Sequence, residues 1–249
     1  MKKDFLSILD ISREELANLI AHARKLKEER RVGIHTPVLA HKTLGMIFEK
    51  SSTRTRISFE TGMFELGGHA LFLNPKDMQL GRGEAIRDTA RVMSRFVSAI
   101  MIRANRHDEV IELATHSDIP VINGLSDREH PCQILADIMT IDERLFRTEG
   151  IRVAWIGDGN NVCTSLILST ILTGMEVVVA SPPEFAPGKE IVAEALKMGA
   201  RVRVVADPMD AATDADVIMT DTWISMGQEE EVDRRRKIFM PYQVNTGLM

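Results

Sequence analysis

The chain has 249 residues, of which 44% are hydrophobic and 27% charged, and its formal net charge is −5 at pH 7. This balance is typical of a globular protein with a real core and excludes collagen-like and low-complexity classes. The negative net charge argues against a broad nucleic-acid surface, and no apolar stretch is long enough to span a membrane. Two cysteines cannot form a cysteine-rich zinc site, and few thiols without a signal peptide predict a reducing, cytoplasmic compartment.

Strand-like and helix-like segments alternate along the chain. Ser12 and Glu15 form a capping box that opens a first helix over about 12–29. The first half then predicts strands over 43–50, 70–73, 99–103 and 120–123, and helices over 51–66, 83–96, 107–116 and 131–146. The second half predicts strands over 152–158, 176–181, 201–207 and 217–221, and helices over 162–173, 189–198 and 229–239.

This alternation predicts an α/β fold with two domains, each a mostly parallel sheet flanked by helices. The boundary is expected near residues 147–150, so the domains span 1–147 and 148–249. In such folds ligands bind beyond the carboxyl ends of the strands. The residues that directly follow each strand are therefore the candidates for chemistry.

The segment Ser51-Ser-Thr-Arg-Thr-Arg56 follows a strand and opens a helix. Free backbone N–H groups, the positive end of the helix dipole, hydroxyls and guanidinium groups together favour a phosphate. A Walker loop is absent. The alternative is a Ser/Thr cap with two solvated arginines. Arg103, at the end of an apolar strand, either converges on the same anion or emerges into solvent.

The segment His130-Pro-Cys-Gln133 precedes a long helix, with Pro131 suited to its first position. Near arginines and a positive helix end, the imidazole is expected to stay neutral or to donate one N–H to a ligand oxygen. A structural His–Pro turn is the alternative. Cys132 is interpreted as a small buried residue, not a nucleophile.

Two polar segments follow strands of the second half. Gly157-Asp-Gly-Asn-Asn161 lacks the third glycine of a dinucleotide fingerprint, because Val162 stands there, and the next strand ends without an acid for a ribose. It is better suited to a small polar substrate. Asp221-Thr-Trp-Ile-Ser-Met-Gly227 offers a carboxylate that could orient an amine, or simply forms an Asx turn.

Taken together, these motifs resemble the aspartate/ornithine carbamoyltransferase family, and within it the ornithine-specific members. The resemblance rests on Phe48–Arg56, Met78-Gln79, Arg103, His130–Gln133, Gly157–Asn161 and Asp221–Gly227, in that order along the chain. It implies a transferase that moves the carbamoyl group of carbamoyl phosphate to the δ-amine of L-ornithine, giving L-citrulline and phosphate. The family also implies a cytoplasmic homotrimer in arginine and amino-acid biosynthesis, with no metal or other cofactor.

The resemblance also assigns roles to individual residues. Carbamoyl phosphate is expected to contact Ser52, Thr53, Arg54, Thr55, Gln79, Arg103, His130 and Gln133. Ornithine is expected to contact Asn161, Asp221, Ser225 and Met226. Catalytic roles are expected for Arg54, Arg103, His130 and Asp221.

One departure from the family concerns the end of the chain. The family continues with a strand carrying a His-Cys-Leu-Pro element and a final helix, which are expected to be missing here. Two alternatives therefore stay open: a carbamoyltransferase for another amine or amino acid, such as putrescine, and a truncated, non-catalytic carbamoyl-phosphate-binding relative.

Overall fold

The computed structural model describes residues 3–224 and 231–249, and within them the chain forms two compact units, Met1–Cys132 and Gln133–Met249. Each unit holds a four-stranded parallel sheet with helices, which confirms the predicted α/β class. The predicted domain boundary near 147–150 stays a prediction.

The elements of the first unit follow the predicted order. Its strands are β1 (Thr43–Phe48), β2 (His69–Leu73), β3 (Ala99–Arg103) and β4 (Val121–Leu125). Its helices are α1 (Arg13–Arg31), α2 (Thr53–Glu65), α3 (Ile86–Met93) and α4 (His107–His116), and α5 (Pro131–Leu145) begins at its end. The capping box of Ser12 and Glu15 is present at the start of α1, as predicted.

The second unit repeats the alternation. Its strands are β5 (Arg152–Ile156), β6 (Glu176–Ala180), β7 (Val202–Val205) and β8 (Val217–Met219). Its helices, after α5, are α6 (Asn161–Thr173), α7 (Lys189–Lys197), α8 (Pro208–Ala212) and α9 (Val232–Phe239).

Each sheet contains a point where the chain reverses its direction of winding. The first sheet has the order β2-β1-β3-β4, so the reversal lies between β1 and β3. The second has the order β7-β6-β5-β8, with the reversal between β5 and β8. Loops leave such neighbouring strands in opposite directions and open a crevice at the carboxyl ends. The loop to α2 and Arg103 meet at the first crevice; Gly157–Asn161 and Asp221 meet at the second.

Apolar strands supply much of the buried core of each unit. Ile47, Ile100 and Ile102 pack with α3 and α4 in the first unit, whereas Ala154, Ile156 and Val178 pack with α8 in the second. The pairing of β3 with β4 shifts register between Ile102 and Arg103. A Cβ on Gly124 there would lie 2.5 Å from the Met101 sulfur, so any larger residue would force the Met101 side chain to move.

Two helices differ from the sequence prediction. The helix predicted over 83–96 is confined to Ile86–Met93, because Gly83 takes a left-handed conformation (φ 94°) that ends the preceding short turn, Leu80–Arg82. Helix α8 was not predicted. Its signal is the pair Asp207-Pro208, in which Asp207 caps the backbone N–H of Met209 and Pro208 takes the first helical position.

In residues 3–224 and 231–249, no helix is both long and apolar enough to cross a membrane.

Candidate functional site

The first half-site is built on the start of α2 and comprises Ser52–Thr55, Arg103 and His130. Ser52 is the N-cap, and its hydroxyl accepts a hydrogen bond from the Thr55 backbone N–H at 3.3 Å. The first helical turn contains exposed Arg54 and no acidic residue. Free N–H groups and a cation at a positive helix end make this turn attractive to an anion.

Arg103 turns toward this helix start instead of emerging into solvent. It is 8% exposed, and its Nη1 donates to Thr55 Oγ1 at 3.4 Å. Burial, followed by the charge of Arg54, lowers its pKa. Its Nε is buried and finds no hydrogen-bond acceptor among the described residues. The arrangement holds a donor ready for an anion at the strand end.

His130 directly precedes α5 and belongs to the same cluster of charges. Burial, followed by the charge of Arg103, lowers its pKa to about 4. The ring is therefore neutral near pH 7 and can donate one N–H to a ligand oxygen, as the sequence predicts. The preceding residue, Glu129, is buried and accepts a hydrogen bond from the Ile8 backbone N–H, which anchors the turn.

Neither Gln79 nor Cys132 is hydrogen-bonded to a described side chain of this cluster. Gln79 is exposed before the turn Leu80–Arg82, and no hydrogen bond joins its side chain to another described residue. The Cys132 thiol donates to the Asn123 carbonyl at 3.4 Å, and burial raises its pKa to about 12. A neutral thiol is a poor nucleophile, in agreement with the sequence interpretation.

The second half-site joins the ends of β5 and β8 and comprises Asn160, Asn161 and Asp221. Asn160 caps α6 through its Oδ1, which accepts from the Val162 and Cys163 N–H groups. Its Nδ2 donates to Asp221 Oδ2 at 2.9 Å. Asp221 Oδ1 accepts from the Thr222 N–H at 2.7 Å, so the carboxylate also closes its own turn.

The sequence analysis included Asn160 in the candidate segment Gly157–Asn161, but it did not predict that this side chain would contact Asp221. Asn161 is the first residue of α6 and half-buried, whereas Asn160 holds Asp221 directly. The signal was available, because an asparagine directly before an apolar helix is a typical N-cap. Ser225 and Met226, also expected here, lie outside the described residues.

A buried ion pair lies next to the second half-site and joins α9 to the end of β5. Arg235 of α9 pairs with Asp158, which follows β5, and its Nε donates to the Trp223 carbonyl at 2.6 Å. The guanidinium lies 4.3 Å from the Phe185 ring centroid. Burial raises the pKa of Asp158, Arg235 opposes this, and Asp221 adds to it. The sequence predicted only a charged helix here, since burial of one arginine leaves no local signal.

Within the described part of the chain, no three His, Cys, Asp or Glu side chains are placed to hold a metal ion.

Two family profiles cover nearly the whole chain. The profile described as "Aspartate/ornithine carbamoyltransferase, carbamoyl-P binding domain" matches residues 3–143, and the one described as "Aspartate/ornithine carbamoyltransferase, Asp/Orn binding domain" matches residues 149–249. The chain belongs to the aspartate/ornithine carbamoyltransferase family. The first half-site lies within the first match, and the second half-site within the second.

Individual relatives agree with this assignment. The ornithine carbamoyltransferase of Methanospirillum hungatei is 89% identical over 249 residues, which are 100% of this chain and 82% of that relative. That of Methanoculleus marisnigri is 57% identical, over 100% of this chain and 81% of its own length. The structure of the Pyrococcus furiosus ornithine carbamoyltransferase has a TM-score of 0.93 at 48% identity, covering 99% of this chain and 80% of that one.

Proposed function

We propose that this chain transfers the carbamoyl group of carbamoyl phosphate to the δ-amine of L-ornithine, giving L-citrulline and phosphate. The observation that carries the proposal is Arg103, a buried guanidinium aimed at the start of α2 beside a neutral His130. A buried cation without a carboxylate partner is costly to a fold, so an anionic ligand is its natural complement. Membership of the family gives that ligand its chemical identity.

Carbamoyl phosphate is assigned to the first half-site. Ser52, Thr53, Arg54 and Thr55 would hold its phosphate at the start of α2, with Gln79 and Arg103 assisting. His130 would donate its N–H to the carbamoyl oxygen, and Gln133 would contact the carbamoyl amide. Charge-assisted hydrogen bonds of this kind are stronger than neutral ones, and they bind a phosphate in one orientation.

Ornithine is assigned to the second half-site. Asn161, Asp221, Ser225 and Met226 would receive it, and the Asp221 carboxylate would orient an amine. Asn160 holds that carboxylate in place. Asp221 therefore has a positioning role toward the acceptor and is not required as a strong base.

The reaction follows from these positions. The deprotonated δ-amine attacks the carbamoyl carbon, negative charge develops on the carbonyl oxygen, and the bond from carbon to the phosphate oxygen breaks. The amine loses a proton as phosphate leaves. Arg54, Arg103 and His130 would be catalytic because they donate to the oxygens on which charge grows. The proposal needs no metal, nucleotide or covalent intermediate.

The wider setting is part of the same proposal. The family resemblance supports a cytoplasmic homotrimer that acts in arginine biosynthesis, with residues 1–147 as the carbamoyl-phosphate domain and 148–249 as the ornithine domain. Neither a nucleic acid nor a membrane is expected as a partner.

The test is citrulline formation from carbamoyl phosphate by the purified 249-residue chain, with ornithine, putrescine and aspartate offered as acceptors in parallel. We expect turnover with ornithine and none with aspartate. Preference for putrescine would overturn the choice of acceptor. Binding of carbamoyl phosphate without turnover on any acceptor would favour the non-catalytic alternative.

A further inference from the structure

The Asp137 carboxylate on α5 forms no ion pair within the described part of the chain. Asp137 is half-buried, and no lysine, arginine or histidine of the described residues forms an ion pair with it. Burial raises its pKa, a hydrogen bond from Gln133 lowers it, and the charge of Asp221 raises it. Holding such a carboxylate in its ionised form costs free energy, and its hydrogen-bond partner is therefore significant.

Its visible partner is the side-chain amide of Gln133, one helical turn earlier. Gln133 Nε2 donates to Asp137 Oδ1 at 3.1 Å. An ionised carboxylate only accepts hydrogen bonds, so it selects the NH₂ end of the amide. Gln133 Oε1 is thereby left for another donor, and no described residue donates to it.

We propose that Asp137 is a positioning residue, which holds the Gln133 amide so that Oε1 accepts a hydrogen bond from the carbamoyl NH₂ group. This inference rests on the proposed function, in which Gln133 contacts carbamoyl phosphate. Without Asp137, the amide could rotate and present NH₂ to NH₂, a contact between two donors. With it, His130 recognises the oxygen of the carbamoyl group and Gln133 recognises the nitrogen.

The chemistry of position 137 explains why an acid is suited to this task. An asparagine there carries both a donor and an acceptor, so it pairs with either orientation of the Gln133 amide. A Gln–Asp pair four residues apart contributes little to helix stability by itself. The contact is therefore better explained by the orientation that it selects than by support of α5.

The first test compares two ligands that differ only at the group concerned. Acetyl phosphate keeps the phosphate and carbonyl but has CH₃ in place of NH₂. We expect Asp137→Asn to weaken carbamoyl phosphate binding about tenfold, as for one lost hydrogen bond, with acetyl phosphate unchanged within about twofold. Calorimetric titration of both ligands measures the ratio, and Asp142→Asn on the same helix is the matched control.

The second test exchanges donor and acceptor within the pair. In Gln133→Glu combined with Asp137→Asn, the asparagine donates to the glutamate, whose second oxygen still accepts from the carbamoyl NH₂. We expect each single variant to lose at least about tenfold in carbamoyl phosphate affinity and the double variant to recover to within about threefold of the parent. If Asp137 had only a structural role, the losses in carbamoyl phosphate affinity of the two single variants would add in the double variant.

The outcomes separate this inference from the proposed function. If the parent chain binds no carbamoyl phosphate, the proposed function fails. If the parent binds it and prefers it to acetyl phosphate, but Asp137→Asn keeps that preference or weakens both ligands equally, the role of Asp137 is refuted while the proposed function stands.

Discussion

Arg103 shows how a single residue can serve binding at the expense of stability. Its guanidinium is buried, it lies near the charge of Arg54, and its Nε has no acceptor in the described part of the chain. Desolvating an uncompensated charge opposes folding. A residue of this kind is expected where a ligand supplies the missing charge.

Replacing Arg103 should therefore stabilise the empty protein and weaken ligand binding. We predict that Arg103→Met raises the free energy of unfolding by about 1–3 kcal/mol, measured by urea denaturation without ligand. Carbamoyl phosphate affinity should fall about 10–100-fold. Arg91→Met, at an exposed arginine paired with Asp88, is the control and should change neither quantity. A destabilised Arg103→Met would show that the guanidinium supports the fold.

His130 should make folding sensitive to acid. Its pKa is lowered from an ordinary 6.5 to about 4, so between these values the unfolded chain binds a proton that the folded chain does not. Stability is therefore complete above pH 6.5 and falls as the pH drops through this window. One pKa unit corresponds to about 1.4 kcal/mol, so this ring contributes a loss of about 3 kcal/mol.

This prediction is checked by NMR titration of the His130 ring, identified by its absence in His130→Gln. We expect a midpoint near 4 in the parent chain. The midpoint should rise in Arg103→Met, because the arginine charge is the second cause of the shift. A midpoint of about 6.5 in the parent would mean that the ring is solvated.

At the scale of elements, helix ends and strand ends carry both half-sites. The cap of α6 is the clearest case, because Asn160 uses its oxygen for the helix and its nitrogen for Asp221. A serine at position 160 can still cap α6 through its hydroxyl, but it lacks the amide N–H group that donates to Asp221. The two functions can therefore be separated by substitution.

We predict that Asn160→Ser changes the free energy of unfolding by less than about 0.5 kcal/mol, whereas Asn160→Ala costs about 1 kcal/mol through loss of the cap. Both variants should raise KM for ornithine, with little effect on carbamoyl phosphate binding. Unfolding curves and steady-state kinetics on the same preparations check this. Unchanged ornithine KM in Asn160→Ser would exclude a role for the amide at Asp221.

Helix α9 is attached to the second sheet by Arg235. The arginine is 2% exposed, pairs with Asp158 and stacks on Phe185, so its loss leaves a buried carboxylate without a counter-charge. We predict that Arg235→Met costs about 3–5 kcal/mol of unfolding free energy. Arg234→Met is the control, since its partner Glu184 is exposed, and should cost at most about 1 kcal/mol. Equal losses of unfolding free energy in the two variants would contradict the burial of Arg235.

At the scale of the whole molecule, each compact unit carries one half-site at its own winding reversal. The two substrates should therefore leave separate footprints. We predict that carbamoyl phosphate slows amide hydrogen exchange at Thr53–Arg56 and that ornithine, added second, slows it around Asn161 and Thr222. Mass-spectrometric exchange checks this. If carbamoyl phosphate alone slowed exchange around Asn161 and Thr222, the prediction of separate footprints would be wrong.

Much of the architecture was predictable because strands and helices produce recognisable patterns over a few neighbouring residues. Apolar runs such as 99–103 and caps such as Ser12 with Glu15 depend on near neighbours, so the sheet–helix alternation follows from sequence. The α3 limits and the short α8 were harder to predict, since a left-handed glycine and a five-residue helix leave weak periodicity.

The sequence by itself determined the fold class, and it located the polar residues at strand ends and helix starts from which both candidate half-sites are proposed, because such ends can be located by pattern. Only the tertiary structure decided that Arg103 turns inward to Thr55, that Asn160 holds Asp221, and that Arg235 is buried against Asp158. These contacts join residues 48, 61 and 77 positions apart. Their partners are chosen by sheet order and burial, and no local pattern encodes either.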